Sequence, residues 1–141
     1  MGLYLCVFAS SDVDDEVDGI EVGSYDDFHQ FRATVASCLE QGVWGSRFPV
    51  LMGHPDSDGE WSPSQCADLA NELTTIRGEL ARLPPRPFAE GTWQSKIAET
   101  SGLPNGSLLD HFIDVDGEPL LDRLLQLARS SAELGSAILL Q

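Results

Sequence analysis

The sequence is poor in positive charge. Among its 141 residues, 8 are Lys or Arg and 23 are Asp or Glu, which gives a formal net charge of −15. Lys96 is the only lysine. A negative field of this size repels nucleic acids and anionic lipids, so we expect neither a nucleic acid nor a membrane as a partner. The acidic excess either solvates the chain or forms a surface for a cationic partner, and composition leaves both readings open.

Cysteine and long apolar runs are also scarce. Three cysteines, Cys6, Cys38 and Cys66, are odd in number and widely spaced, which argues against a disulfide framework and predicts buried thiols in a reducing cytoplasm. No apolar run approaches the length of a membrane span. The start "MGLYLCVFAS" lacks a basic region, so we expect no signal peptide and a cytoplasmic protein. Since no glycine-rich phosphate loop occurs, we predict no cofactor.

Apolar spacing predicts short strands that alternate with helices. β-prone apolar segments predict strands at 2–8, 20–22, 47–54 and 137–141. Three- and four-residue apolar steps predict helices over 25–40, 63–82, 93–102 and 119–134. Residues 107–113 fit either a strand or a helical turn. These elements predict one domain, 1–141, of α/β or α+β class, with a small mixed sheet of about four strands packed with three to four helices.

Two stretches, "HPDSDGEWSP" (54–63) and "FIDVDGEPLL" (112–121), share the frame Asp-x-Asp-Gly-Glu. A calcium loop of the EF-hand type needs Asp at its first position and Glu at its twelfth. In the first frame these positions hold His54 and Gln65, and in the second Arg123 stands at the twelfth. We therefore predict that each glycine makes a sharp turn with positive φ ahead of a helix, and that neither frame binds metal.

A catalytic reading of the first frame is the alternative. His54, Asp56 and Asp58 could form an acid–base cluster, or a less favoured metal site, if their side chains converged. No second cluster in the sequence supplies a nucleophile or an oxyanion hole. A small hydrolase is therefore the second choice, and we expect a protein that is not an enzyme.

Acidic residues are concentrated in "SSDVDDEVDG" (10–19), a predicted exposed loop that precedes the first base, Arg32. The candidate partner-binding residues of this loop are Asp12, Asp14, Asp15, Glu16 and Asp18. Such a run can steer a basic partner, or it can be simple solvated surface. Trp61 is a further candidate because tryptophan is enriched in binding hot spots, the alternative being a buried side chain at the end of a helix.

Five segments together resemble a known family: "MGLYLCVF", "VDGIEVGSYDDFHQFR", "SRFPVLMGHPDSDGEWSPSQC", "LPPRPF" and "FIDVDGEPLLDRLLQLA". They are similar to the bacterial immunity protein seventy family of polymorphic toxin systems, nearly from end to end. This resemblance implies a cytoplasmic protein that binds and blocks a cognate toxin domain without catalysis. It brings no catalytic or metal-binding residues with it. Combined with the charge, it leads us to expect a basic toxin as the partner.

Overall fold

The computed structural model describes residues 2–9, 15–55 and 58–141. Within these ranges it has four strands and five α-helices, in the order β1 (Gly2–Phe8), β2 (Glu16–Ser24), α1 (Tyr25–Leu39), α2 (Pro49–Met52), β3 (Glu60–Trp61), α3 (Pro63–Leu80), α4 (Trp93–Ser101), α5 (Leu120–Leu134) and β4 (Ile138–Leu140). A 3-10 turn, Leu108–His111, precedes α5. The predicted combination of a four-stranded sheet with packed helices is confirmed.

The strands form one sheet in the order β2-β1-β4-β3, and every pair is antiparallel. The sheet is therefore antiparallel throughout, where a mixed sheet was predicted, and of the two predicted classes the arrangement is α+β. The register places Cys6 of β1 opposite Gly19 of β2 on one side and opposite Leu139 of β4 on the other. Two irregularities in the β1–β2 register, at Leu3/Tyr4 and at Val7/Phe8, bend this pair.

Helices cover one face of the sheet, which we call the inner face. Leu3, Leu5 and Val7 alternate along β1 and are at most 1 % exposed, as expected for side chains that point to the same side of a strand. They join a single hydrophobic cluster with the apolar sides of the three long helices. Its largest fully buried side chains include Trp61, Phe28, Phe31, Leu73, Ile76, Leu121 and Leu127.

Local capping explains where the predicted helices begin and end. Ser24 Oγ accepts a hydrogen bond from Asp27 N at 3.0 Å, and Asp27 Oδ2 accepts one from Ser24 N at 2.8 Å, which makes a reciprocal capping box. Ser62 and Gln65 make the same box at the start of α3. Gly102 ends α4 in the left-handed region, at φ 63°. The helix predictions are confirmed to within about two residues at each end.

The strand predicted at 47–54 is wrong, since residues 49–52 form the single helical turn α2. Pro49 stands at its first position, where a missing amide costs nothing. The carboxylate of Glu72, on α3, accepts hydrogen bonds from Val50 N at 3.0 Å and Leu51 N at 2.9 Å. A cap from a residue so far along the chain gives no local signal, so the apolar run reads equally well as a strand.

Two smaller predictions were also revised, and one open choice is settled. The loop predicted at 10–19 is shorter, because β2 already begins at Glu16; residues 10–14 lie outside the described ranges. Of the three thiols predicted to be buried, Cys6 and Cys66 are buried and Cys38 is exposed. The open choice at 107–113 is settled as a helical turn of the 3-10 type.

Candidate partner-binding surface

The second face of the sheet carries apolar side chains that take no part in the core cluster. Tyr4, Cys6 and Phe8 alternate with the core residues of β1, and Leu139 lies beside Cys6 on β4. Cys6 is buried beneath its neighbours, whereas Tyr4, Phe8 and Leu139 stay partly exposed. We call this surface the outer sheet face and include its flanking residues, Gly19, Glu16, Glu21 and Glu60, which pair across the strands with its members.

Tyr4 lies flat across this face. A Cβ atom at Gly19 would collide with the Tyr4 hydroxyl, so the ring occupies the space that glycine leaves open. The Tyr4 hydroxyl donates a hydrogen bond to Glu16 Oε1 at 2.8 Å. Burial, together with this bond to a carboxylate, raises the pKa of Tyr4 to about 12. The aromatic ring is thus held in place and its hydroxyl stays protonated.

Acidic side chains line the edges of the outer sheet face. Glu16 and Glu21 stand on the β2 edge and Glu60 on the β3 edge, all exposed. The strands of the sheet contain no lysine or arginine. Several of the cations elsewhere form ion pairs, among them Arg47 with Glu79 at 2.6 Å. The outer sheet face therefore combines an apolar centre with a border of one charge sign.

A cleft of about 950 Å³ opens at one end of this face, between α4 and the sheet end formed by the first residues of β1 and the last residues of β2. Tyr4 and Glu21 line its sheet side, and Trp93, Lys96 and Ile97 line its helix side. Within α4 itself no residue is buried. The helix is therefore held on the domain by a few specific contacts and not by an apolar core of its own.

Asp27 supplies the main attachment of α4. Its Oδ2 accepts a hydrogen bond from Trp93 Nε1 at 3.0 Å, and its Oδ1 accepts one from Gln94 Nε2 at 2.9 Å. Burial by itself raises the pKa of Asp27, but the hydrogen bonds from Ser24, Trp93 and Gln94 outweigh it and lower the pKa below the usual value. A Cβ at Gly23 (φ 122°) would lie 2.6 Å from Asp27 Oδ2, so this corner needs glycine.

A second cleft, of about 420 Å³, lies on the other side of Asp27 and Gln94. His111 lines it, with its ring stacked on Phe88 at 5.2 Å and its Nδ1 2.9 Å from the Arg86 carbonyl. Burial lowers the pKa of His111, which favours the neutral ring with its proton on Nδ1. The segment that leads into α4 is thus fixed to the domain at two points, one on each side of the helix start.

Comparison with known families identifies the chain. A model of the family described as Immunity protein 70 matches residues 3–140. The chain belongs to the Immunity protein 70 family. Searches among curated proteins and among solved structures gave no match. Membership confirms the resemblance predicted from the sequence, and it indicates an immunity protein whose partner is a toxin.

In this Immunity protein 70 member, the acidic residues predicted to bind the partner lie in different environments. Asp12 and Asp14 lie outside the described residues. Asp15 is exposed, and Glu16 belongs to β2, where it borders the outer sheet face. Asp18 faces the helices and accepts a hydrogen bond from Arg123 at 3.1 Å. Asp18 is therefore engaged within the fold, whereas Asp15 and Glu16 are exposed and Glu16 also accepts the hydrogen bond from Tyr4.

Trp61, the tryptophan chosen as a binding candidate, is only 1 % exposed. Its indole Nε1 donates a hydrogen bond to the Val50 carbonyl at 3.0 Å, so its polar atom is also satisfied inside the fold. The more exposed tryptophan is Trp44, at 42 %, whose ring stacks on His29 at 5.8 Å. The sequence places each at the boundary of an element, and only the tertiary packing separates the two.

His54, one member of the acid–base cluster considered from the sequence, lies against the main chain. His54 Nδ1 lies 2.8 Å from the Pro55 carbonyl and Nε2 lies 2.9 Å from the Glu60 carbonyl, so main-chain oxygens occupy both nitrogens. The ring packs on Trp61 at 4.5 Å. Asp58 is exposed and Asp56 lies outside the described residues. Across the described residues, no group of three or more His, Cys, Asp or Glu side chains is placed to hold a metal ion.

The two Asp-x-Asp-Gly-Glu frames share their glycine geometry, as predicted, with φ 86° at Gly59 and 80° at Gly117. In the second frame Asp114 is 2 % exposed, and its Oδ1 accepts hydrogen bonds from Asp116 N at 2.9 Å and Glu118 N at 3.0 Å. Burial raises the pKa of Asp114 despite these bonds. This carboxylate serves the turn itself, which is the structural role expected for the frame.

The same turn also protects an edge of the sheet. Val115 N, in the middle of the second frame, donates a hydrogen bond to the Glu21 carbonyl of β2 at 2.9 Å. Arg123 donates another to the Gly19 carbonyl at 2.8 Å. Covered in this way, the β2 edge is less open to pairing with a foreign strand.

Of the helices in the described part of the chain, none is both long and apolar enough to cross a bilayer.

Proposed function

We propose that this chain neutralises a cognate toxin by binding its toxic domain and blocking it, in the cytoplasm that the toxin would damage. The observation that carries this proposal is the family match over residues 3–140. The inhibitor itself performs no chemistry, in keeping with a His54 ring that is taken up by carbonyl oxygens. We therefore do not propose the hydrolase alternative.

The charge of the chain supports a basic toxin. A net charge of −15 attracts a cationic domain over distances of about 10 Å at ordinary ionic strength and raises the rate of encounter. Toxins that act on nucleic acids carry cationic grooves for phosphate, which an acidic inhibitor can fill. The acids that border the outer sheet face are exposed, which supports such a contact, whereas Asp18 forms an ion pair with Arg123.

The proposal is tested with the toxin domain whose gene adjoins the gene of this chain. We expect co-expression of the chain to restore the growth of cells that produce this domain. Purified together, the two should form a complex whose affinity falls about tenfold or more when the salt concentration rises from about 50 to 300 mM, because added salt screens the charges. A toxin that still kills in the presence of the chain, and that does not bind it at low salt, contradicts the proposal.

A further inference from the structure

We infer that the toxin docks on the outer sheet face and inserts an arginine or lysine side chain into the cleft between Tyr4 and Trp93. This inference rests on the proposed function and names the surface and the partner chemistry that the function requires. It differs from the sequence-based expectation, which placed the contact on the loop 10–19 and on Trp61.

The outer sheet face carries apolar side chains where polar ones are usual. An antiparallel sheet with one face on the core usually shows polar side chains on the other. Here Tyr4, Phe8 and Leu139 occupy that second face and remain partly exposed. The long helices α1, α3 and α5 pack on the inner face. The short helix α4 lies beside the outer face only at the end of the sheet where the cleft opens. Contiguous exposed apolar surface bordered by polar groups is typical of a protein interface.

The charge of the outer sheet face selects its occupant. Glu16 and Glu21 on one edge and Glu60 on the other leave the face negative, with no cation on the strands to offset them. An acidic partner would be repelled, and a second copy of this chain, at −15, would meet the same repulsion. A basic and partly apolar surface of another protein is complementary to both features.

The cleft has walls and a carboxylate that suit a long cationic side chain. Tyr4, Trp93 and Ile97 supply aromatic and aliphatic walls, and Glu21 supplies an exposed carboxylate beside them. Arginine and lysine match this arrangement because their long stems pack on apolar surface while their charged ends meet a carboxylate or the face of a ring. The oxygens of Asp27 already accept hydrogen bonds from Ser24, Trp93 and Gln94, so Asp27 positions the Trp93 wall and Glu21 receives the incoming charge.

Lys96 allows a test that is specific to this cleft. It is exposed and lines the same cleft, so its ammonium group repels an incoming cation. Removal of this charge should therefore strengthen toxin binding. Although a general loss of fold or of solubility would weaken binding, it could not produce this gain.

The experiment measures the affinity of the adjacent-gene toxin domain for three variants with exposed substitutions. Glu21→Arg should weaken binding about 30-fold or more, as at a hot spot. Glu133→Arg, the same change at an exposed position of α5, should alter it by about threefold or less, because only the long-range field changes. Lys96→Gln should tighten binding about twofold to tenfold.

The outcomes separate the two proposals. If the unaltered chain neither binds nor neutralises the toxin domain, the proposed function fails. If the unaltered chain binds but Glu21→Arg weakens binding no more than Glu133→Arg does, the docking surface is wrong while the function stands. If Lys96→Gln weakens binding, the toxin does not place a cation in the cleft, and that part of the inference is overturned.

Discussion

The two faces of the sheet differ although they are built from alternate residues of the same strands. On the inner face Leu5 and Val7 are 0 % exposed beneath three helices. On the outer face their neighbours Tyr4 and Phe8 remain partly exposed, and acids stand along the edges. The burial required for stability is therefore concentrated on one side. The other side can carry apolar surface for a partner because the fold does not depend on covering it.

The largest expected effect is an opposite pattern of stability loss and affinity loss for substitutions on the two faces. Leu5→Ala should lower the free energy of unfolding by about 2–5 kcal/mol, since it leaves a cavity in the core, while the folded fraction keeps its toxin affinity. Phe8→Ala should lower it by only about 1–2 kcal/mol but weaken toxin binding. Urea denaturation and titration with the toxin domain measure the two quantities. Equal unfolding costs, or a loss of affinity in Leu5→Ala alone, would break the contrast between the faces.

An intermediate effect is expected at Gly19, a partly exposed position on which the Tyr4 ring packs closely. Gly19→Ala should displace the Tyr4 ring from Glu16 and lower the free energy of unfolding by about 1–2 kcal/mol. In a Tyr4→Ala background the same change should cost nothing, because the collision has been removed. Thermal melts of the double-mutant cycle measure this coupling.

Gly78→Ala is the matched control for this cycle. Gly78 lies within α3, and a Cβ there would meet nothing within 4 Å. The substitution should stabilise the protein by about 0.5–1 kcal/mol through the helix preference of alanine. If Gly19→Ala behaves like Gly78→Ala, Tyr4 does not lie across the outer face as described.

The smallest effect on global stability concerns α4. Asp27→Asn replaces a carboxylate that accepts hydrogen bonds from several donors, and should loosen α4 by about 1–2 kcal/mol. Because Lys96 is the only lysine, a lysine-specific protease cleaves this chain within α4 alone, and its cleavage rate reports the opening of the helix. We expect faster cleavage in Asp27→Asn than in Asp26→Asn, its exposed neighbour. Equal rates would show that Asp27 does not hold α4.

This attachment also has a defined pH dependence. Since the folded-state pKa of Asp27 is lowered, its stabilisation is fully present above the unfolded value and is lost as the pH falls through the folded value. Hydrogen exchange in α4 should therefore differ between the unaltered chain and Asp27→Asn at neutral pH. This difference should begin to shrink as the pH falls below about 4, the ordinary pKa of Asp, and disappear only below the lowered folded pKa. A difference that persists into strong acid would assign the attachment to another group.

The sequence predicts the helices well because their signals are local. Ser24 with Asp27 and Ser62 with Gln65 form the capping boxes that their spacing indicates. The turn at 49–52 escapes prediction because the Glu72 carboxylate that caps it comes from another helix. The short strand Glu60–Trp61 is missed for a similar reason, since it is defined only by pairing with β4.

The candidate surface is harder to predict than the fold. The acidic segment draws attention by its composition, yet Asp18 turns toward Arg123 while Glu16 borders the outer face. That difference depends on the register irregularity near Phe8, which no local pattern announces. Trp61 and Trp44 likewise differ in exposure only because of their tertiary neighbours. The segment "GLYLCVF" does carry a signal for the outer face, because it is apolar at the outward positions of the strand as well as at the inward ones.

The most direct test introduces an arginine on the outer sheet face in one variant and at the last residue of α5 in another, and compares their toxin binding. Leu139→Arg puts a charge in the middle of the outer sheet face, whereas Leu134→Arg makes the same change at an exposed position of α5, 46 % accessible in the native chain. Both proteins should melt within a few degrees of the unaltered chain. If the toxin docks on the outer sheet face, Leu139→Arg abolishes toxin binding while Leu134→Arg retains it. Retained affinity in a folded Leu139→Arg protein would contradict the outer sheet face as the docking surface.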